Sequence, residues 1–333
     1  MLHSFATALR GGAVTAAAIV MVLAVSGCAA PGAAPTSGAF ASRAGAGMVI
    51  NQDFPDPDVL RSSGTYYLYA TNSDRFNIQL ATSKNLTKWT IRNTDALPTL
   101  PSWAAEGETW APDVSEPTPG DFTMYFVARE PKSDSQCIGM ATSGSANGPF
   151  VSTETKPMIC DTREGGDIDP STFTDTDGTR YLLWKNDGNC CGLETWLQIA
   201  RLSADGSRLA GPVTKLIDET LPWEGTLVEA PTLVRHGAKY VLLYSSNDYS
   251  GDDYAVGYAT ATSLRGPYTK HPKPLLSTAS SHKRFCGPGG QDVVVGPGGR
   301  DYLVFHSWDR AYKYRGVSVL PLTWKNDAPL VEP

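Results

Sequence analysis

The chain has 333 residues and a formal net charge of −6 at pH 7, so it lacks the basic excess with which proteins usually bind nucleic acid. Its 32 glycines, 24 prolines and 10% aromatic residues occur without any long segment of helical periodicity. This composition argues against a helical fold and predicts many short strands joined by turns.

The first 27 residues are predicted to be a signal peptide outside the fold. Arg10 precedes the apolar run AVTAAAIVMVLAVSG, which is too short and too poorly flanked for a transmembrane helix. The run ends in VSGC, which resembles a bacterial lipobox with Cys28 as the lipid-attachment residue; ordinary cleavage nearby is the alternative. Residues 28–47 are rich in Pro, Gly, Ala and Ser, as in a flexible tether. The sequence therefore predicts export, with contact to a membrane only through a lipid on Cys28.

A sequence pattern then repeats five times along residues 48–333. Each unit has a polar or aromatic opening residue, a short apolar run, a Gly/Asp turn and an aromatic-rich strand, as in DPDVLRSSGTYYLYA. The opening residues are 54, 59, 60 and 62 positions apart: Asp56, Trp110, Asp169, Glu229 and Gln291. Four short strands per unit and a period near 60 predict an all-β, five-bladed β-propeller, whereas a β-sandwich has no reason for such a period. The last unit is short, so the segment from Met48 to Asn51 is predicted to complete the fifth blade.

The cysteines fit an exported protein without a zinc site. Five of them follow Cys28, and no two form a C-x-x-C pair. Cys137 and Cys160 could bridge neighbouring strands. The adjacent Cys190 and Cys191 either form a vicinal disulfide or send one partner to Cys286, and one thiol is left over in either case.

Three of the five opening residues are acids. In a propeller the innermost strands line the central channel, so Asp56, Asp169 and Glu229 are predicted to converge at one mouth of it. Burying three carboxylates together is costly unless their protonation states are used. Glycoside hydrolysis uses such groups, because one carboxyl protonates the leaving oxygen while another activates water or attacks, and a third can raise the pKa of the acid by repulsion.

The motifs FPDPDV, WAPDV, GGDIDPSTFTDTDGTRYLLW and LVEAPTLVRHGAKYVLLYS resemble the successive blade motifs of glycoside hydrolase family 43. This family contains five-bladed arabinanases, arabinofuranosidases and β-xylosidases, and the resemblance extends from about Asn51 to Trp324. It implies that Asp56 is the general base, that Asp169 tunes the pKa of the acid and orients it, and that Glu229 is the general acid. The family inverts, so the base should activate a water, with roughly 6.5–9.5 Å between base and acid.

Other residues are candidates for substrate contacts. Trp110 either stacks on a sugar or lines the core, and Gln291 could bond a hydroxyl or a metal-bound water. Arg315 matches an arginine of the family that reaches the active centre, the alternative being a solvated edge charge. Asp58 and Asp113 follow prolines and are predicted to cap strands.

A metal ion is a further expectation from the resemblance, although the chemistry itself requires no cofactor. Many family members carry His where Gly290 stands, and in the arabinanases a histidine supports a central calcium or sodium ion. His306, on the next strand, could replace it as a metal ligand, the alternative being a structural histidine.

These observations predict a monomeric, inverting glycoside hydrolase that acts on a pentose-containing oligo- or polysaccharide. The first choice is an exo-α-L-arabinofuranosidase that releases L-arabinofuranose from arabinan or arabino-oligosaccharides. A β-xylosidase or an endo-arabinanase is the alternative within the family. A surface propeller that binds a glycan without cleaving it is the alternative of another class.

Overall fold

The computed structural model of the chain describes residues 47–333, which form twenty β-strands and four short 3-10 turns. Cys28, the predicted signal peptide and almost all of the predicted tether lie outside the described residues. Within 47–333 no helix is long and apolar enough to cross a membrane. The strands form five antiparallel sheets, the blades of a propeller, which confirms the predicted fold class.

Blades 1 to 4 follow one another along the chain. Blade 1 contains β2 (Asp58–Ser62), β3 (Thr65–Ala70), β4 (Gln79–Ser83) and β5 (Trp89–Ile91). Blade 2 contains β6 (Trp110–Thr118), β7 (Asp121–Glu130) and β8 (Ser135–Ser143). Blade 3 contains β9 (Asp167–Thr174), β10 (Arg180–Asn186), β11 (Trp196–Arg201) and β12 (Thr214–Asp218). Blade 4 contains β13 (Val228–His236), β14 (Lys239–Ser246), β15 (Ala255–Ala261) and β16 (Thr269–Lys270).

Blade 5 combines both ends of the described chain. Its main strands are β17 (Cys286–Val295), β18 (Asp301–Trp308) and β19 (Arg315–Lys325). The outer strand β19 pairs over its first part with β1 (Met48–Ile50) and over its last part with β20 (Ala328–Val331). The prediction that the segment at Met48 completes the fifth blade is therefore confirmed, and the pairing closes the ring.

The hydrophobic core is divided among the interfaces between neighbouring blades. Phe126 and Tyr69 pack together between blades 1 and 2, and Leu183 and Leu242 between blades 3 and 4. Comparable clusters fill the three remaining interfaces. Because each sheet is covered on both faces, its strands are apolar on both sides, which is why the aromatic-rich middle strands dominate the repeat.

Side-chain hydrogen bonds also join each innermost strand to the backbone of the next blade. In four of these hydrogen bonds an aspartate carboxylate accepts from a backbone N–H of the next blade at 2.8–3.0 Å. The pairs are Asp58 with Val114, Asp113 with Thr172, Asp169 with Ala230, and Asp292 with Val59. The hydroxyl of Thr232 donates to the carbonyl of Gln291 at 2.7 Å and completes the circle. The capping role predicted for Asp58 and Asp113 is therefore wrong in detail, since these side chains bind the neighbouring blade rather than their own strand.

A backbone kink marks the same place in every blade. Asp56, Ala111, Asp169, Ala230 and Gly290 have φ values of 54°, 38°, 54°, 50° and 54°, in the left-handed region. Such a conformation costs a non-glycine residue about 1–3 kcal/mol, and strain of this kind clusters at functional sites. The five kinked positions surround the channel mouth.

The kinks correct the sequence alignment of the blades. Asp56 and Asp169 are equivalent, but Trp110 and Glu229 stand one residue before the kink and Gln291 one residue after it. The predicted ring of five equivalent residues is therefore wrong at three positions. Since the side chains of neighbouring strand residues point in opposite directions, this offset makes the side chains of Glu229 and Asp169 leave the backbone in different directions.

Candidate active site

The three predicted acids meet in one place. Asp56, Asp169 and Glu229 line both the inner end of the channel and a wider outer cavity of about 410 Å³. Trp110 and Arg315 line the outer cavity as well, whereas Gln291 lines only the inner end. The structure thus brings together five of the predicted residues around the outer cavity, and the roles assigned to them stay predictions.

Asp56 is held as a carboxylate. Its Oδ2 accepts a hydrogen bond from the Thr71 hydroxyl at 2.6 Å, and Arg315 Nη1 lies 3.5 Å from its Oδ1. Its backbone N–H donates to Nδ1 of His306 at 3.0 Å. Burial by itself raises the pKa of Asp56, but the charge of Arg315, the adjacent His306 ring and the hydrogen bond from Thr71 outweigh burial and hold this pKa well below its usual range. An ionised carboxylate at a pocket is what a general base requires.

The pKa of Asp169 is shifted in the opposite direction, upward. Burial, followed by the negative charge of Glu229, raises the pKa of Asp169 to about 7, although Lys185 and the Ala230 N–H bond act in the other direction. Near neutral pH this carboxyl therefore retains a proton for part of the time. Two nearby carboxyl groups with separated pKa values are the arrangement that acid–base catalysis uses.

Both carboxylate oxygens of Glu229 have partners. The Tyr254 hydroxyl donates to Oε1 at 2.7 Å, and Nζ of Lys185 lies 3.4 Å from Oε2. The side chain of Glu229 keeps 14% exposure, enough to meet a bound molecule in the outer cavity. Glu229 is thus fixed from two sides while it still faces the cavity.

Gln291 supports the backbone beside Glu229. Its side-chain nitrogen donates to the carbonyl of Ala230 at 2.6 Å, and its side-chain oxygen accepts from the Ser245 hydroxyl at 2.7 Å. Both ends of the amide are therefore engaged inside the protein. Substrate binding by Gln291 stays a prediction, and the contacts favour a supporting role.

His306 fills the space beside Gly290. A Cβ at position 290 would lie 2.5 Å from Cε1 of His306, and the positive φ at this position also favours glycine. The His306 ring stacks on Tyr254 with a centroid distance of 5.8 Å, and burial lowers its pKa. The histidine that the resemblance leads one to expect at position 290 would not fit here.

The calcium or sodium ion expected from the resemblance stays a prediction. Among residues 47–333 no group of three His, Cys, Asp or Glu side chains is placed to share one ion. Nδ1 of His306 already faces the N–H of Asp56, and its Nε2 has no hydrogen-bond partner within these residues. No step below is derived through an ion, and the metal role of His306 stays a prediction.

Several residues of the site are not evident from the sequence. Thr71, Lys185, Tyr249 and Tyr254 all touch the predicted acids or line the cavity with them. The signal that could have revealed Lys185 is a charged residue at the end of the apolar strand YLLWK. The tyrosines belong to the loop SNDYSGDDYA, whose sequence does not indicate that the loop turns toward the acids.

The cysteines form two disulfides. Cys137 pairs with Cys160, as the sequence allowed, and Cys190 pairs with its neighbour Cys191. Cys286 forms no disulfide within residues 47–333. Cys190 lines the outer cavity, so the vicinal disulfide is part of its rim.

Aromatic side chains extend from the outer cavity across blades 4 and 5. The Arg315 guanidinium lies 4.6 Å from the ring centre of Tyr249 and 6.0 Å from that of Trp308. Trp308 stacks against Tyr312, and its indole N–H donates to the Tyr249 carbonyl at 2.7 Å. Tyr249 and Tyr312 are 48% and 43% exposed. The rim therefore presents ordered aromatic surface to solvent beside the acids.

Comparison with known families and curated proteins gives consistent matches. The model of glycosyl hydrolases family 43 matches residues 47–329. A beta-D-galactofuranosidase of Aspergillus niger is 26% identical over 76% of this chain and 73% of its own length. An extracellular exo-alpha-(1->5)-L-arabinofuranosidase of Streptomyces avermitilis is 28% identical over 78% of this chain, which spans only 55% of that relative. An extracellular endo-alpha-(1->5)-L-arabinanase of Bacillus subtilis is 26% identical, with 78% and 81% covered.

Solved structures agree with these matches. A thermostable family-43 glycoside hydrolase superposes with a TM-score of 0.75 at 28% identity, covering 85% of this chain and 93% of that one. An endo-1,4-beta-xylanase of Bacteroides thetaiotaomicron gives a TM-score of 0.74 at 26% identity, with 86% and 96% covered. The similar proteins thus share the fold and differ in the sugars that their names state.

Proposed function

The chain belongs to glycosyl hydrolase family 43, and we propose that it is an inverting, exo-acting α-L-arabinofuranosidase that releases L-arabinofuranose from arabinan or arabino-oligosaccharides. That it is a glycoside hydrolase follows from the family match and from relatives named as glycosidases. The sugar, the exo action and the stereochemistry are the proposed part.

One observation carries the assignment of roles. Asp56 is kept ionised, chiefly by the charge of Arg315, whereas burial and the charge of the neighbouring Glu229 raise the pKa of Asp169 to about 7. In the proposed reaction Asp56 takes a proton from a water, and the oxygen of that water attacks the anomeric carbon. Glu229 gives its proton to the glycosidic oxygen as the bond to the anomeric carbon breaks. Asp56 ends protonated and Glu229 ends ionised, so protons balance.

The choice of arabinofuranose rests on relatives. Two of them are named as extracellular exo-alpha-(1->5)-L-arabinofuranosidases, from Streptomyces avermitilis and Cellvibrio japonicus. The aromatic rim at Tyr249 and Trp308 offers flat surfaces on which further sugar rings of a chain can stack. An endo-arabinanase or a β-xylosidase is the alternative, and both kinds of relative are also matched.

A second candidate sugar is β-D-galactofuranose. The galactofuranosidase of Aspergillus niger matches with nearly balanced coverage of both chains. β-D-galactofuranosides and α-L-arabinofuranosides have the same arrangement of ring substituents, and the galactose ring carries one additional exocyclic carbon. A site built for one ring therefore needs only space at the exocyclic end to accept the other.

A proton NMR time course tests the assignment. Wild type and Glu229→Gln are incubated with α-1,5-arabino-oligosaccharides, xylobiose and a β-D-galactofuranoside. We expect arabinose to appear first as the inverted anomer, one unit at a time from the chain end, with the variant inactive. First appearance of the retained anomer would overturn inversion, and internal cleavage would overturn exo action. Turnover only of xylobiose or of the galactofuranoside would overturn the choice of sugar.

We also propose that the protein is exported and lipid-anchored at Cys28. The support is the N-terminal sequence pattern and the extracellular location stated in the names of several relatives. Metabolic labelling with a radioactive fatty acid should mark the wild type but not Cys28→Ser. Equal labelling of the two proteins, or none of either, would contradict the lipid anchor.

A further inference from the structure

A completely buried lysine stands next to the proposed general acid. Lys185, at the end of β10, has a side-chain exposure of 0%. Its Nζ lies 2.5 Å from Oδ1 of Asn189, 3.4 Å from Oε2 of Glu229 and 3.8 Å from Oδ1 of Asp187. Burying an ammonium group is unfavourable unless it has charged partners. The reaction described above gives this lysine no task, although its position demands an explanation.

Within residues 47–333, Lys185 is the one cation that contacts the acids around it. Three carboxyl groups lie near it: those of Asp169, Asp187 and Glu229. Burial raises the pKa of Asp187 to about 6, and the charge of Lys185 opposes that rise, as it does for Asp169. If all three acids were ionised, the group would carry two uncompensated negative charges, so it favours retaining a proton near neutral pH.

Glu229 begins the proposed reaction with a proton and ends it with a negative charge. A fixed cation at Oε2 therefore interacts more strongly with Glu229 at the end of proton transfer than at the start. Interactions that strengthen toward the transition state are those that accelerate a reaction. The Tyr254 hydroxyl on Oε1 fixes the other half of the same carboxyl group.

We infer that Lys185 is a positioning residue that acts through Glu229, holding its carboxyl group in place and stabilising the charge that develops when its proton passes to the leaving oxygen. In this reaction Lys185 neither gives nor takes a proton, so the atoms and charges of the reaction are unchanged. Oδ1 of Asn189 accepts a hydrogen bond from the ammonium group and helps to hold it beside Oε2. The inference rests on glycoside hydrolysis with Glu229 as the acid, and it does not depend on which sugar is cleaved.

Leaving groups of different acidity provide the test. Aryl glycosides of whichever sugar the wild type cleaves are compared, from dinitrophenyl to phenyl, because a good leaving group departs without a proton. For Lys185→Met we expect kcat/KM to fall on the order of 100-fold for the phenyl glycoside and only a few-fold for the dinitrophenyl glycoside. The alkaline limb of the pH profile should move to higher pH, because removal of the cation favours the protonated acids.

Other charged and titratable groups around the cavity also shape this profile, and all remain in place in the variant: Asp56, Asp169, Asp187, Asp248, Tyr249, Tyr254, His306 and Arg315. The shift of the alkaline limb in Lys185→Met is therefore measured relative to the wild type.

Lys270 supplies a matched control. It forms the other buried Lys–Glu pair of the described chain, with Nζ 2.7 Å from Oε2 of Glu224, and neither residue lines the cavity. Lys270→Met should lower the free energy of unfolding without changing the dependence on the leaving group. If Lys185→Met does not fold, Asn189→Leu replaces it, since Asn189 is exposed and its loss should give a smaller change of the same kind.

Two results would overturn the inference. One is an equal loss of activity for all leaving groups with an unmoved alkaline limb, since a merely structural lysine would cause this. The other is unchanged kinetics in a folded Lys185→Met or Asn189→Leu protein. If the wild type cleaves no arabinofuranoside but does cleave another glycoside, the proposed sugar fails while this test is still carried out in full.

Discussion

Replacing Arg315 by Met should move the acid limb of the pH–activity profile to higher pH. Nη1 of Arg315 lies 3.5 Å from Oδ1 of Asp56, and this charge is the largest of the influences that lower the pKa of Asp56. At an effective dielectric constant of about 20, such a pair interacts by about 5 kcal/mol. This corresponds to an upper limit of about 3.5 pKa units, at about 1.36 kcal/mol per unit.

The expected shift is smaller than this limit. The side chains of Arg315 and Asp56 are 16% and 23% exposed, so water screens part of the interaction. The hydrogen bond from the Thr71 hydroxyl and the neighbouring His306 ring also remain in the variant. We therefore expect the limb to rise by roughly 1–2 pH units, the direction being upward because a base must be ionised to act and the variant binds its proton more tightly.

The assay is kcat/KM for an aryl glycoside between about pH 1.5 and pH 8, with reversibility checked by returning each sample to neutral pH. Arg315→Lys is the matched control, since it retains the charge and should keep most of the wild-type position of the limb. Loss of a substrate contact would lower kcat/KM at every pH without moving the limb. An unmoved limb in Arg315→Met would refute the reasoning that Arg315 keeps Asp56 ionised.

Three other variants test the site and the ring. Asp56→Asn should lower kcat on the order of 1,000-fold or more while circular dichroism and thermal melting remain those of the wild type, and near-normal turnover would rule out Asp56 as the base. Asp292→Asn keeps an oxygen for the Val59 N–H but cannot ionise. Burial raises the pKa of Asp292 to about 7, so the contribution of Asp292 to stability is largest below about pH 4 and is lost as the pH rises through 7. In urea titrations the variant should be more stable than the wild type by at least about 1 kcal/mol above pH 7, and equal stability there would contradict this. Removing the vicinal disulfide with Cys190→Ser and Cys191→Ser should lower kcat/KM about 10-fold, because it loosens the turn that carries Asn189, and unchanged kinetics would show that the turn needs no cross-link.

Much of the fold could be read from the sequence. Strands, turns and apolar runs are local features, and a propeller repeats them at a fixed period, so five units and their order are visible in the chain itself. The closure of the ring at Met48 followed from the same count, because the last unit lacked a strand. The three acids were evident because the repeat places acids at strand starts, where a turn alone does not require them.

The exact alignment of the blades was missed in the sequence. In four blades the kinked residue directly precedes a proline, so aligning the prolines would have shown the offset. Asp56 directly precedes Pro57, whereas Glu229 stands two residues before Pro231, and the positive φ values at Asp56 and Ala230 identify the residue before the proline as the equivalent position. The aspartates that join the blades were likewise mistaken for caps, since their partners lie on another sheet.

By itself, then, the sequence determined the propeller, its closure and the convergence of Asp56, Asp169 and Glu229. Only the tertiary structure decided what surrounds them: His306 against Asp56, Lys185 and Tyr254 on Glu229, and the vicinal disulfide at the rim. The physical reason is distance along the chain. Asp56 and His306 are 250 residues apart and Lys185 and Glu229 are 44 apart, and no local pattern records a contact that exists only after the ring has closed.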